Sequence, residues 1–448
     1  MPGVDVEPES WKMKVKSSTW SERWIAWTAV MFIASMATLM RSFLAVKLFF
    51  LVFFLLAFVV NAYRRRTSIV VYPRLVWFYL WIGLAGLVWA FVGVLHPANY
   101  LQAVFDALRL YVVWSAAFVV LYTLLRAGPS LQIMHAAMVI AGILIPLINF
   151  VALYDQVSGL GLFSDGVREQ LDLGVGFGDG YLQFGGVNLI GMFVIAPYLL
   201  SLQFRGDAGK SNSAITKLAL VLSLIFVALS GRRALWIVVA LTPFAVLLLS
   251  TLTGSYGLIK AGGRRVLLAS AIAGAVGLGT TLIIPESALD GEYMGSITRL
   301  KKAFSSEDER TIQKPYLINA FMKSPVLGSG FGGRAGYIRS DERPWTYELT
   351  YYQMLFNLGT VGMAALVAIF TVYLAAVVRL LRQFKGESAI PFGLLIGFFS
   401  LLAGAYSNPY LSGFDSLFFV GLLPFLSTFE RGFEQPKLAG VAACTAQP

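Results

Sequence analysis

A helix of about twenty predominantly apolar residues is long enough to cross the hydrocarbon core of a bilayer. This 448-residue sequence holds about twelve such runs, near 24–41, 43–61, 75–95, 105–126, 132–152, 185–204, 215–231, 233–252, 266–285, 349–378, 390–407 and 413–430. The pattern predicts an all-α polytopic membrane protein. Composition agrees: 57% of residues are hydrophobic and 13% charged, where soluble chains carry roughly 25% charged residues. The deficit runs the whole length, which excludes a soluble domain with a single anchor. The first 23 residues are polar, and no small-residue cleavage site follows the first apolar run. They read as a cytoplasmic tail and not as a cleaved signal.

Loop charge fixes the orientation. One side carries twenty basic residues: Lys12, Lys14, Lys16, Arg23, Arg64, Arg65, Arg66, Arg74, Arg126, Arg205, Lys210, Lys217, Lys260, Arg264, Arg265, Arg379, Arg382, Lys385, Arg431 and Lys437. The other side, apart from its two long loops, has Arg41, Lys47, Arg109, Arg232 and Arg233. Lys and Arg accumulate on cytoplasmic loops, so both termini are expected in the cytoplasm. The net charge of +11 follows from the same rule, and no nucleic-acid partner is expected. The one cysteine, Cys444, excludes internal disulfides, and His96 and His135 make no metal-spaced cluster.

The chain therefore divides into a tail (1–23), spans one to nine (24–285), an outer loop (286–346), spans ten to twelve (347–430) and a second tail (431–448). Within the first nine spans lies an acidic outer loop, 153–184. The 286–346 loop reads as an extracytoplasmic cap of short helices. Ser306-Glu307-Asp308-Glu309 resembles a capping box, Ile312, Tyr316, Ala320 and Phe321 keep helical spacing, and Pro315 kinks that helix or delays its start. Pro325 and the run Gly328–Gly333 end it. No repeat of span lengths is visible, which weighs against a transporter built from two related halves.

Charges at membrane depth are costly and mark function. Arg232 and Arg233 sit in a tight outer turn, as a functional pair or as arginines snorkelling to headgroups. Asp106 and Arg109 form an intrahelical pair or a ligand contact. Glu348, at the outer start of span ten, is a helix-dipole charge or a general base whose carboxyl burial under the cap tunes. Asn408 and Asp415 flank the last outer turn as weaker candidates. The glycine run reads as a plain turn in preference to a phosphate cradle. Both histidines read as structural.

The Ser230-Gly231-Arg232-Arg233 corner, the outer helix ending in Pro325-Val326-Leu327-Gly328-Ser329-Gly330-Phe331-Gly332, and the opening Glu348-Leu349-Thr350-Tyr351-Tyr352-Gln353 through Gly362 occur in this order on one side. Over about residues 185–410 the chain resembles the O-antigen ligase and polymerase superfamily. The resemblance implies an integral-membrane GT-C-type glycosyltransferase of the bacterial inner membrane, acting at the periplasmic face on glycans carried by undecaprenyl pyrophosphate. It implies that Arg233 and Arg310 neutralise the pyrophosphate, with Arg232 beside them in the binding site. Ligases of the family carry a histidine near the start of the span after the large loop. Glu348 stands in that neighbourhood here, which favours a polymerase that passes the growing chain to a lipid-linked repeat unit.

Glycosyl transfer without a metal needs cations for the departing pyrophosphate and a base for the acceptor hydroxyl. Arginine suits the first task and Glu348 the second, and direct attack inverts the anomeric centre. Arg109, Arg334 and Tyr351 are candidate substrate contacts; the outer aromatics (Trp345, Tyr347, Tyr351, Tyr352) stack on sugars or form an interfacial belt. No cofactor is expected. Expected partners are the lipid-linked donor and acceptor, membrane lipids and a chain-length regulator protein. The competing readings are a ligase to lipid A–core and a flippase of lipid-linked sugars.

Overall fold

The computed structural model describes residues 20–65, 70–126, 130–171, 173–178, 181–186, 188–204, 213–255, 259, 309–339, 341–383, 389–406 and 408–430. Its helices are α1 Trp20–Thr38, α2 Leu44–Arg65, α3 Pro73–Leu95, α4 Leu101–Arg126, α5 Ser130–Ser158, α6 Asp165–Leu171, α7 Leu189–Phe204, α8 Ala214–Leu229, α9 Arg233–Leu252, α10 Glu309–Lys323, α11 Thr350–Gln383, α12 Ala389–Gly404 and α13 Phe414–Ser427. Six of these, α2, α3, α4, α5, α9 and α11, are long and apolar enough to cross a membrane. The apolar helices α7, α8, α12 and α13 are shorter. The span expected at 266–285, the proposed capping box before Glu309, residues 1–19 and the tail 431–448 lie outside the described residues, whereas 20–23 of the expected N-terminal tail already belong to α1.

Burial sorts the helices into lipid-facing and central ones. On α2, Phe49, Val52, Leu56 and Val59 recur at helical spacing and are all more than half or nearly two-thirds exposed. Water would penalise such a stripe, whereas acyl chains match it. α7 is buried almost throughout, from Leu189 to Leu199 without a break. It meets α12 through small residues: a Cβ on Gly397 would stand 2.7 Å from Val194 O, and one on Gly404 would collide with the Phe193 ring. Close packing of small residues is what holds helices together where the solvent is itself apolar. Pro146 inside α5 removes the amide that would bond Gly142 O, and Ser223 Oγ of α8 donates to that carbonyl instead, at 3.1 Å.

The helix ends gather in two sets. At one end Arg74 Nη1 donates to Ser427 O, Tyr373 OH to Arg74 O, and Arg382 Nε to Leu252 O, while the Arg126 guanidinium lies 3.9 Å from the Phe429 ring centroid. These are basic side chains seated on carbonyls and aromatic faces at helix termini. At the other end lie the turns α1–α2, α3–α4, α8–α9 and α12–α13 with the segment 324–349, joined by Tyr100 N to Gly332 O and Thr350 Oγ1 to Asn408 O. The acidic loop also contributes an antiparallel hairpin, β1 Gly174–Gly178 and β2 Tyr181–Gly185, registered Gly174 on Gly185. Glycines alternate with Val175 and Phe177 there, a two-residue period suited to a strand.

The glycine run is likewise more than a surface turn. α11 breaks at Gly359, with φ 64° and ψ −172°, a backbone region essentially confined to glycine. The run inserts into that break. Ser329 N and Gly330 N donate to Phe356 O and Asn357 O, while Thr360 N and Val361 N donate to Pro325 O and Val326 O. Trp89 Nε1 of α3 donates to Leu327 O at 2.8 Å, and Phe331 N donates to Trp89 O. Broken helix and inserted loop thus satisfy each other's backbone groups, a requirement for irregular chain among apolar helices. The N–H groups of Gly328 and Gly330 are spent on the carbonyls of Ser324 and Asn357.

Candidate functional site

The insertion fixes α10, and α10 carries the first site residue. Pro315 lies inside this helix, which runs on to Lys323. Its inner face packs Leu317 with Ala335, Tyr347, Leu349 and Phe356 in a small core distinct from the main one. That packing presents Arg310 to Glu348, one residue before the helix-opening Leu349. Arg310 Nε donates to Glu348 Oε2 at 2.8 Å, and Arg339 Nη2 donates to Oε1 at 2.9 Å. Glu348 N donates to Oε1 of Gln313, one turn after Arg310 and fully buried. Both carboxylate oxygens therefore face guanidinium donors, in the charge-assisted geometry that arginine forms with carboxylate or phosphate.

The second part is the turn Tyr410–Ser412 between α12 and α13. The Tyr410 hydroxyl feels the charges of Arg232, Arg310, Arg41 and Glu348 together. Burial pushes its pKa upward; the three arginines oppose that rise and Glu348 adds to it. The phenol thus lies within electrostatic reach of both Arg232 and Arg310, although 78 positions part them in sequence. Its ring packs on Phe193 of α7, 5.0 Å between centroids.

Arg41 completes the ring from the α1–α2 turn. It is one of two non-glycine residues with positive φ among those described, at 63°, a conformation costing about 1–3 kcal/mol that the surroundings must hold. They do so through Arg41 N donating to Asp415 Oδ2 at 2.8 Å and Arg41 Nη2 donating to Pro409 O at 3.0 Å and to Ser412 Oγ. Arg41 is exposed at the surface. Loss of solvation lowers the guanidinium pKa, with Arg343 and Arg339 adding repulsion and Asp415 and Tyr410 opposing. Arg41, Arg232, Arg310, Arg339 and Arg343 thus share one region with Glu348, Asp415 and Tyr410.

The remaining expected residues fall elsewhere or have local partners. Arg233 opens α9 beside Arg232. Arg109 starts a π-helical turn, Arg109–Val113, and its guanidinium reaches Asp106 at 3.0 Å with both side chains exposed, which is the local ion pair. Tyr351 gives its hydroxyl to Leu402 O at 2.5 Å. Arg334 lies within electrostatic reach of the Tyr347 hydroxyl, which accepts from Ala335 N at 2.7 Å. Asp415 is buried on Lys47, and His135 Nδ1 pairs with Tyr198 OH at 2.7 Å inside the bundle. Sequence reasoning missed Arg41, Arg339, Arg343, Gln313 and Tyr410. Arg41 had one visible signal, as a base on the side that basic residues avoid.

Fold and site together define a multi-pass α-helical membrane protein with an arginine-rich cluster where several helix ends meet. No protein-family model matches the chain, and no curated protein sequence matches it either.

Proposed function

We propose that the chain is a polysaccharide polymerase of the bacterial inner membrane, with about twelve spans and the arginine cluster at the periplasmic face. In this reading the cluster holds the pyrophosphate of an undecaprenyl-linked glycan, and the glycan passes to the next lipid-linked repeat unit. The observation that carries it is the clamp of Arg310 and Arg339 on Glu348, with Arg232, Arg310 and Arg41 within electrostatic reach of Tyr410. Permanently charged, planar donors held by helix ends stabilise a departing pyrophosphate without reorganising as its charge grows.

The acceptor hydroxyl oxygen attacks the anomeric carbon from the face opposite the phosphate, with inversion. The carbon–oxygen bond to phosphate breaks, its electron pair leaves with the pyrophosphate, and the hydroxyl proton passes to a base, Glu348. A flippase would place its charges in a cavity at mid-membrane, and here they gather at helix ends. A ligase shares the donor chemistry and differs in its acceptor. Loss of a ligase in cells leaves long polymer on the carrier lipid, whereas loss of a polymerase leaves single repeat units.

The test is purified protein supplied with a synthetic polyprenyl-pyrophosphate repeat unit, with and without a chelator. Chain growth that survives chelation is expected; failure to elongate under any metal condition would refute the polymerase reading.

A further inference from the structure

Glu348 sits where an anion belongs. Two arginines from different segments each give it one donor, Arg310 Nε at 2.8 Å and Arg339 Nη2 at 2.9 Å. That is how guanidinium pairs hold a phosphate. Glu348 in this position is engaged: each carboxylate oxygen accepts one guanidinium donor, which holds the group against the arginines and uses half of its lone-pair sites. Beside it stands a separate irregularity. Gln313 is 0% exposed, its Oε1 accepts from Glu348 N, and its Nε2 has no acceptor among the described residues. A buried amide donor left without a partner costs about 1–3 kcal/mol, and such groups in native structures call for an explanation.

We propose that Glu348 is a resident anion, which the substrate's pyrophosphate displaces from Arg310 and Arg339, and that Gln313 Nε2 is a further donor for that pyrophosphate. The inference rests on the reading of the cluster as a pyrophosphate site. Pyrophosphate carries more charge and more acceptor oxygens than a carboxylate, so two guanidinium groups favour the exchange. Once displaced, the carboxylate is open to take the proton of the acceptor hydroxyl while the electron pair of the broken carbon–oxygen bond leaves on the pyrophosphate. After the pyrophosphate departs, Glu348 gives that proton to water and returns to the arginines. Base and donor site are thereby coupled: the arginines hold the carboxylate until the leaving group takes its place.

The test is equilibrium binding of inorganic pyrophosphate to the purified full-length protein in metal-free buffer. Wild type is compared with Glu348→Gln, Glu348→Ala, Glu342→Gln and Gln313→Leu, each checked for an unchanged elution profile. Removal of the competing anion is expected to tighten binding at least tenfold in both Glu348 variants, although neither elongates chains. Glu342, an exposed acid in the same segment, controls for general charge, and its variant is expected to stay within twofold of wild type. Gln313→Leu is expected to weaken binding severalfold. Wild-type binding with no tightening in the Glu348 variants, or equal tightening in Glu342→Gln, would overturn the displacement while leaving the pyrophosphate site in place. No binding to wild type or to either Glu348 variant would overturn the site itself.

Discussion

Lys47 Nζ lies 2.7 Å from Asp415 Oδ1, and the two side chains are 1% and 0% exposed. A single desolvated ion pair thus ties α2 to α13. The other carboxylate oxygen takes Arg41 N, so the pair also sets the strained turn that presents Arg41 to the cluster. Buried pairs add little net stability, yet loss of one partner costs about 3–5 kcal/mol because a charge is left buried alone. Lys47→Met is expected to cost that much, and Lys47→Met with Asp415→Leu to recover most of it. Unfolding in mixed detergent micelles measures both; additive losses in the double variant would contradict the account.

The loop inserted at Gly359 makes a second expectation. A Cβ on Gly359 would stand 2.3 Å from Val326 O, and one on Gly328 would stand 2.4 Å from Asn357 O. Both residues also have positive φ, so alanine brings strain of about 1–3 kcal/mol before any collision. Gly359→Ala and Gly328→Ala are expected to lower the thermal midpoint clearly. α10 should loosen as well, seen as faster hydrogen exchange at residues 309–323.

Alkaline stability follows from Tyr347. Burial raises its pKa above the ordinary 10.0, so the folded state keeps a proton that the unfolded chain releases. A group raised in this way gives stability that is complete below pH 10.0 and is lost as pH climbs through its folded pKa. Tyr410 is raised in the same direction. Wild type is expected to lose stability above about pH 10. Tyr347→Phe should show a shallower loss there, at the cost of the bond from Ala335 N. An identical alkaline slope in the variant would remove Tyr347 as a source.

Arg109 and Asp106 are both exposed, at 70% and 44%. Exposed pairs of this kind contribute little. Arg109→Ala is expected to leave chain elongation and stability near wild type, and a large loss of elongation would return Arg109 to the substrate site.

What the sequence makes legible is what a bilayer imposes. The apolar runs that predicted α2, α3, α4, α5 and α11 are long enough that no other structure satisfies their backbone groups in lipid. Helix break and inserted loop were hidden because each depends on a partner remote in sequence: Gly359 looks like any helix glycine until Val326 O is seen against it. The site divides along the same line. Arg232 and Glu348 stood out because a charge near lipid needs a reason, and Arg310 stood out through the resemblance. Tyr410 and Gln313 did not, since a tyrosine in an outer turn and a glutamine on a short helix have ordinary explanations. Arg41 needed the observation that a turn of α1–α2 meets Asp415.

Chain elongation by Arg310→Ala, set beside wild type on a synthetic polyprenyl-pyrophosphate repeat unit, tests the central claim most directly. Arg310 touches both Glu348 and the field at Tyr410, and loss of one preorganised donor to a developing charge slows such reactions by about 10²–10³. The expected result is a correctly inserted protein whose elongation rate falls by about that factor. A wild-type rate from Arg310→Ala would contradict the account.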